Sequence, residues 1–211
     1  PYFIPGSYIT SRGITIDNKL AAMSGITPAD LMALQNNYFN TLAEDARPIM
    51  LSFVKENELS AGEKKYLDLF KGWDLMASPD SKGQTIYQNW WDSLEMEIYR
   101  DEVEKIKLPT PAPDEQTLME ILKKDTTMSF IDNINTPQKE TLYDIMTAAF
   151  KKATAFLNAK ESEGKLEWAK FKSPTVYHLL KDALPAFARK GLNVGGNGNI
   201  INAVTHSHGP S

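Results

Sequence analysis

The sequence has no cysteine in 211 residues. Disulfides, zinc–thiolate sites and cysteine nucleophiles are thereby excluded, while cytoplasm and periplasm both remain open. Basic charge is in no excess either. The 23 Lys and Arg face 27 Asp and Glu, a net charge of −4, which argues against a nucleic-acid binder with a one-sided basic face. The apolar runs are far too short to span a bilayer, and no stretch reads as a secretory leader. Phosphate-cradling motifs are lacking as well. Gly196-Asn197-Gly198 has no third glycine at position 201 and no Lys-Ser/Thr after it, so the glycines read as a turn and a close backbone approach. Ser162-Glu163-Gly164-Lys165 has the form S-x-x-K but lacks the S-D-N and K-T-G elements that give this motif its chemistry.

Histidine occurs 3 times. His206 and His208 would share one face of a strand, and with His178 they could make a three-histidine metal site. No acidic residue lies near 206–208 to orient an imidazole, so the plain reading is two partly buried histidines bonded to backbone. A metal hydrolase built on them is a third-ranked reading of the chain.

The positive content is helical. The 42% apolar and 24% charged residues make an ordinary globular mixture, and the length suits one domain or at most two. Thr27-Pro28-Ala29-Asp30 starts a helix carrying Leu31, Leu34, Tyr38 and Leu42, which Pro48 should bend or end. Ser60-x-x-Glu63 is a capping box ahead of Tyr66, Leu69, Phe70 and Trp73. A third helix puts Ile86, Trp90, Leu94 and Ile98 on one face, and Trp91, off that stripe, needs a second surface. Residues 108–113 alternate with proline and read as a stiff extended connector. Asp114 caps a short helix with Leu118, Ile121 and Leu122. Thr136-Pro137 starts another, whose stripe runs Leu142, Ile145, Met146, Ala149, Phe150, Ala153 and Leu157. The four tryptophans are most simply core. The run from Ile200 to Val204 shows little alternation and reads as a strand covered on both faces. A lone strand leaves its backbone groups unpaired, so this one is expected to join a larger sheet outside the chain. The opening at Pro1 and the close at His208-Gly209-Pro210-Ser211 suggest a processed protein or a piece of a larger one. Arg12 stands among neutral residues before the first long helix, which alone marks it as a surface group or a clamp.

Four segments add a resemblance. Residues 11–20, SRGITIDNKL, resemble the R-x-x-x-I-x-x-x-L stretch of the penicillin acylase family, which includes penicillin amidases and acyl-homoserine-lactone acylases. Residues 26–48 resemble its helix with Q-x-D, although Asn37 stands where aspartate is frequent. Residues 73–94, from Trp73-Asp74 to Leu94, look like its W-D…I-f-x-x-W-x-x-x-L block. Residues 168–211 resemble its tail, with Trp168, His178-Leu179, Gly195-Gly196, Asn202-Ala203 and the terminal H-G-P-S.

The resemblance implies an N-terminal-nucleophile hydrolase with an αββα core. In that family an N-terminal serine attacks the amide and its own α-amino group is the base, while backbone and asparagine donors hold the oxyanion. It places the chain internal to the C-terminal part of the large chain, with nucleophile and oxyanion asparagine upstream, so that the segment alone would be inactive. The implied fold class is mainly α, a helical segment with few short strands within that larger core. Its parts would be residues 1–107, helical and resembling the family blocks; 108–165, helical and weakly matched; and 166–211, strand and loop returning to the core sheet. Arg12 is the one catalytic residue carried over, as an arginine near the active site; substrate-binding residues are not assignable, and no metal ligand is. No cofactor is implied in this segment, the family's structural calcium being held upstream. The implied partners are the small chain, the rest of the large chain and a small-molecule amide, with no nucleic acid and no membrane, in the periplasm or outside the cell. A non-enzymatic helical interaction domain is the alternative.

Overall fold

A computed structural model describes residues 10–104, 113–205 and 207–208, and among these the chain is mainly helical. The first helix, α1 (Ser11–Ala21), starts where the Thr10 hydroxyl accepts the amide of Gly13. In α2 (Pro28–Gln35) the Thr27–Asp30 capping box is present and proline occupies the first turn. After it come α3 (Thr41–Phe53), α4 (Ala61–Lys71) and α5 (Lys82–Glu104). The expected Ser60–Glu63 box opens α4, with the Ser60 amide donating to Glu63 at 2.7 Å. Asp114 caps α6 (Glu115–Lys124) through the amide of Thr117 at 2.8 Å. The longest core partner of α5 is α7 (Leu142–Ser162), and a short α8 (Trp168–Lys172) follows.

The core forms between α5 and α7, closed by α3, α4 and α6. On α5 the residues Ile86, Tyr87, Trp90, Trp91, Leu94 and Ile98 are all buried. That spread is wider than one stripe, as a helix covered on more than one side requires. Trp91, off that stripe, is fully buried; its ring lies 6.1 Å from that of Tyr87 one turn earlier on the same helix, and its indole N–H donates to Glu95.

Several sequence expectations need correction. The helix read from Thr27 through Leu42 is two helices. Between them the Asn37 side chain accepts the amide of Phe39 at 3.0 Å, and the chain turns extended, with Asn40 donating to the Leu75 carbonyl at 2.9 Å and Ala77 to that of Tyr38 at 2.8 Å. Asparagine side chains compete for backbone groups in this way and break helices. Pro48 does not end α3, which runs to Phe53. The missing N–H and the ring clash cost about 3 kcal/mol, but the helix keeps Ala46 and Met50 fully buried in the core. The helix expected from Thr136 begins six residues later. Thr136 instead bonds Glu140, and Glu140 donates to Asp132 at 2.8 Å, so the N-terminal role passes to Thr141, whose amide donates to Asp144 at 2.9 Å.

The largest correction concerns Ile200–Val204, which is no strand but a turn followed by irregular chain. The Ile200 amide turns back to the Asn197 carbonyl, Asn197 donates to the Asn202 carbonyl at 3.1 Å, and Gly196 has φ +95. A short apolar run cannot be told by pattern alone from any other buried segment; here Ile200 is fully buried beside Ala77 and Trp168. The extended pieces are β1 (Thr175–Val176) and β2 (Ser207–His208), two residues each and parallel. Of the proline connector 108–113, all but Pro113 lies outside the described residues.

Candidate functional site

Loop 195–205 is the centre of the candidate site. Its base is tight because Gly195 and Gly196 cannot carry a side chain. A Cβ at Gly195 would overlap the Ala77 carbonyl and Tyr38, and one at Gly196 the Asn202 carbonyl. The Gly196 amide donates to Ala77 at 2.8 Å, and the Asn202 amide to the Asn37 carbonyl at 3.2 Å. From below, the Trp168 indole N–H donates to the Gly196 carbonyl at 2.6 Å.

The tip of the loop meets the first turn of α1. The guanidinium Nη2 of Arg12 donates to the Gly198 carbonyl. The Ser11 hydroxyl donates to the Asn199 carbonyl at 3.0 Å, and the Ser11 amide to Gln116 Oε1 at 2.9 Å. Arg12 Nε is buried and has no partner among the described residues. Arg12 lines a cavity of about 680 Å³, together with Glu95, Glu115, Gln116 and Asn199. A second cavity of about 560 Å³ adjoins it, shares Glu115, Gly198 and Asn199, and is walled by Trp168, Phe171 and Lys172. The Trp168 and Phe171 rings lie nearly parallel, 13° apart with centres at 6.0 Å.

A relay of side-chain amides connects the loop to the carboxylates of α5 and α6. Asn197 Nδ2 donates to Gln88 Oε1 at 2.8 Å, Gln88 Nε2 donates to Asp92 at 2.8 Å and reaches Glu115 at 3.3 Å, and Asn199 Nδ2 donates to Glu115 at 2.6 Å. Burial raises the Glu115 carboxyl above its ordinary range, with Asp92 and Asp114 adding repulsion and the two amide bonds opposing. Burial pushes Glu95 up to about 7, against the indole N–H of Trp91 that favours its charged form.

That shift has a sign. A carboxyl whose folded pKa exceeds its unfolded value contributes stability that is complete below the unfolded pKa and lost as the pH rises through the folded one. For Glu95 the window runs from 4.5 to about 7. Glu95→Gln keeps an acceptor for Trp91 but does not ionise. The melting temperature of the variant should therefore fall less than that of the wild type between pH 5 and pH 8, by thermal melts followed by circular dichroism. Parallel curves for the two proteins would show that Glu95 carries no such shift.

Of the residues singled out in the sequence, Arg12 and the glycines of 195–198 come together here, and Asn37 touches the same loop through its carbonyl. His178 does not. It is exposed, its Nδ1 accepting the amide of Leu180 at 3.1 Å and its ring lying 5.6 Å from that of Phe187. His206 lies outside the described residues, and among the described residues no group of three His, Asp or Glu could hold a metal ion. Sequence reasoning missed Gln88, Glu95, Glu115, Lys172, Asn197 and Asn199. A signal existed for two of them: Trp91–Glu95 and Trp168–Lys172 both place a charge one helical turn after a tryptophan, where side chains meet.

Among the described residues no helix is long and apolar enough to cross a membrane. Comparison with curated proteins gives no match. A family model described as penicillin amidase matches residues 2–211.

Proposed function

The chain belongs to the penicillin amidase family, and from that premise we propose that it is a segment of an amidohydrolase that cleaves a linear amide of the penicillin or N-acyl-homoserine-lactone type. In this reading the nucleophile is an N-terminal serine supplied upstream. Its hydroxyl attacks the amide carbon while the α-amino group takes the proton. The tetrahedral intermediate collapses as the α-amino group passes that proton to the leaving nitrogen, releasing the amine, and water then hydrolyses the acyl ester to the acid and the free serine. The helices described above are scaffold for one side of the cleft, the segment by itself is inactive, and its partners are the small chain and the preceding part of the large chain. The location is the periplasm or the extracellular space.

The single observation that carries the reading into this chain is the state of Arg12. One donor is spent on the Gly198 carbonyl, while Nε is buried without a partner among the described residues, on a side chain that lines a cavity. Burying an N–H of a cation unpaired is costly, and an arginine held this way by the fold retains directed donors for a group that enters the cavity. Arg12 would orient the catalytic groups or stabilise developing negative charge.

Arg12→Lys in the full-length enzyme tests this. Lysine keeps the charge but loses the fixed fork. The expected result is a loss of about tenfold or more in kcat/KM, equivalent to about 1.4 kcal/mol of transition-state stabilisation, with an unchanged melting temperature. Normal kinetics with a lowered melting temperature would make Arg12 a structural clamp and remove this support.

A further inference from the structure

We propose that Lys172 is a positioning residue of the Arg12 site: its ammonium gathers the base of loop 195–204 so that the Gly198 carbonyl stands where Arg12 reaches it. The inference rests on the reading of Arg12 given above.

Lys172 ends α8, is about nine-tenths buried, and has no carboxylate within ion-pair distance among the described residues. A buried lysine in that state normally loses its charge or finds other compensation. Here the compensation is three backbone carbonyls. Nζ donates to Gly195 O at 2.6 Å, Gly196 O at 3.0 Å and Val204 O at 2.8 Å. An ammonium has three donors, and each meets one carbonyl. The two sides of the loop, at 195–196 and at 204, are therefore joined through one atom. The side chain is steered there by Trp168, whose ring centre lies 5.5 Å from Nζ and whose indole N–H shares the Gly196 carbonyl.

The loop is also held by the Gly196 and Asn202 amides and by the side chains of Asn197 and Asn199, and Lys172 adds the bonds that tie 195–196 to 204. Glycines at 195 and 196 supply no side-chain packing, and between them and Val204 the tip projects Gly198 and Asn199 towards α1. Without the ammonium, the Gly195 and Val204 carbonyls lose the donor that joins them and the Gly196 carbonyl keeps only the Trp168 indole N–H, and each buried acceptor left without a donor is unfavourable. The base should spread, and the displacement is passed to the Gly198 carbonyl two residues beyond Gly196. A displacement of about 1 Å at a positioning contact is enough to cost a large part of a catalytic rate.

The test uses the full-length enzyme, an arylamide substrate and two variants. Lys172→Met removes the ammonium; Lys172→Arg keeps a cation whose planar fork does not match three carbonyls, and it carries the test if the methionine variant does not fold. The expected result is a fall in kcat of about tenfold for Lys172→Met and less for Lys172→Arg, with KM changed by less than about twofold. In an Arg12→Lys background the same substitutions should cost less than about threefold, because the two residues act through one contact. Amides of residues 196–202 should exchange faster while those of α5 and α7 do not. Unchanged kcat, or losses that multiply fully in the Arg12→Lys background, would overturn the proposal, as would unchanged exchange in the loop. If the full-length protein hydrolyses no amide, the functional reading fails by itself, and hydrogen exchange still decides whether Lys172 holds the loop.

Discussion

Trp90→Ala is expected to destabilise the fold by about 3–5 kcal/mol, the range for deleting a large aromatic side chain from a closed core. Trp90 is fully buried between α5 and α7. Its ring lies 4.4 Å from that of Phe150 and meets Phe70 edge-on at 5.2 Å, and its indole N–H donates to the Met146 carbonyl at 3.2 Å. The neighbours cannot collapse into the space, because Phe70 on α4 and Met146 and Phe150 on α7 are themselves fully buried. At about 2–4 °C per kcal/mol for a chain of this size, the melting temperature should drop by roughly 6–20 °C. Urea unfolding should show a lower midpoint with the same slope. A loss below about 1 kcal/mol would mean that the α5–α7 contact is not the centre of the core. Trp90→Phe, which keeps a ring but loses the N–H, should lie between the two.

Gly83→Ala is the second large effect, and its sign is the informative part. Alanine in place of glycine within a helix ordinarily stabilises by about 0.5–1 kcal/mol. Gly62 in α4 should follow that rule, since nothing lies within 4 Å of where its Cβ would be. Gly83 in α5 should reverse it. A Cβ there would overlap Cβ and Cγ of Trp73, the root of the side chain rather than a mobile end. Trp73 cannot yield, because its indole N–H donates to Met76 at 3.0 Å, its carbonyl accepts from Arg47 at 2.6 Å, and its ring packs on Phe70 and Tyr87. Overpacking of this kind costs typically about 1–3 kcal/mol and occasionally more, and the upper end is expected. Denaturant midpoints of the two variants measured side by side decide the matter; a stabilised Gly83→Ala would show that α5 can shift away from Trp73.

The contrast between these positions also shows what a sequence can disclose. The apolar stripes of α4, α5 and α7 were legible because burial of one helix face writes a 3.6-residue period into the chain. The cap at Thr27 and the box at Ser60–Glu63 were legible because a cap is a local bond between near neighbours. The break at Asn36–Asn40 was not, since it depends on pairing with residues 75–77, far along the chain. Nor was the turn at Ile200, where burial against Trp168 and Ala77 gives an apolar run without extended structure. The candidate site was the least legible part. Arg12 stood out only through resemblance, and its anchor at Gly198, the carboxyl of Glu115 and the ammonium of Lys172 are brought to it by tertiary structure alone.

The bonds from Ser11 and Arg12 to Asn199 and Gly198 span 188 and 186 residues. During synthesis the chain emerges from its N-terminus, and units fold as they are completed. The α3–α7 core can close once Ser162 has emerged, and Ser11 can then meet Gln116, but the Gly198 and Asn199 carbonyls reach α1 only when the glycine loop follows. Within this stretch the arginine is made 186 residues before the carbonyl it binds, and it reaches its place only after that carbonyl has been made. A ribosome-bound chain stopped before residue 195 would carry a packed helical body and an unassembled site. The two halves of the candidate chemistry are separated in time by the translation of the 186 to 188 residues between them.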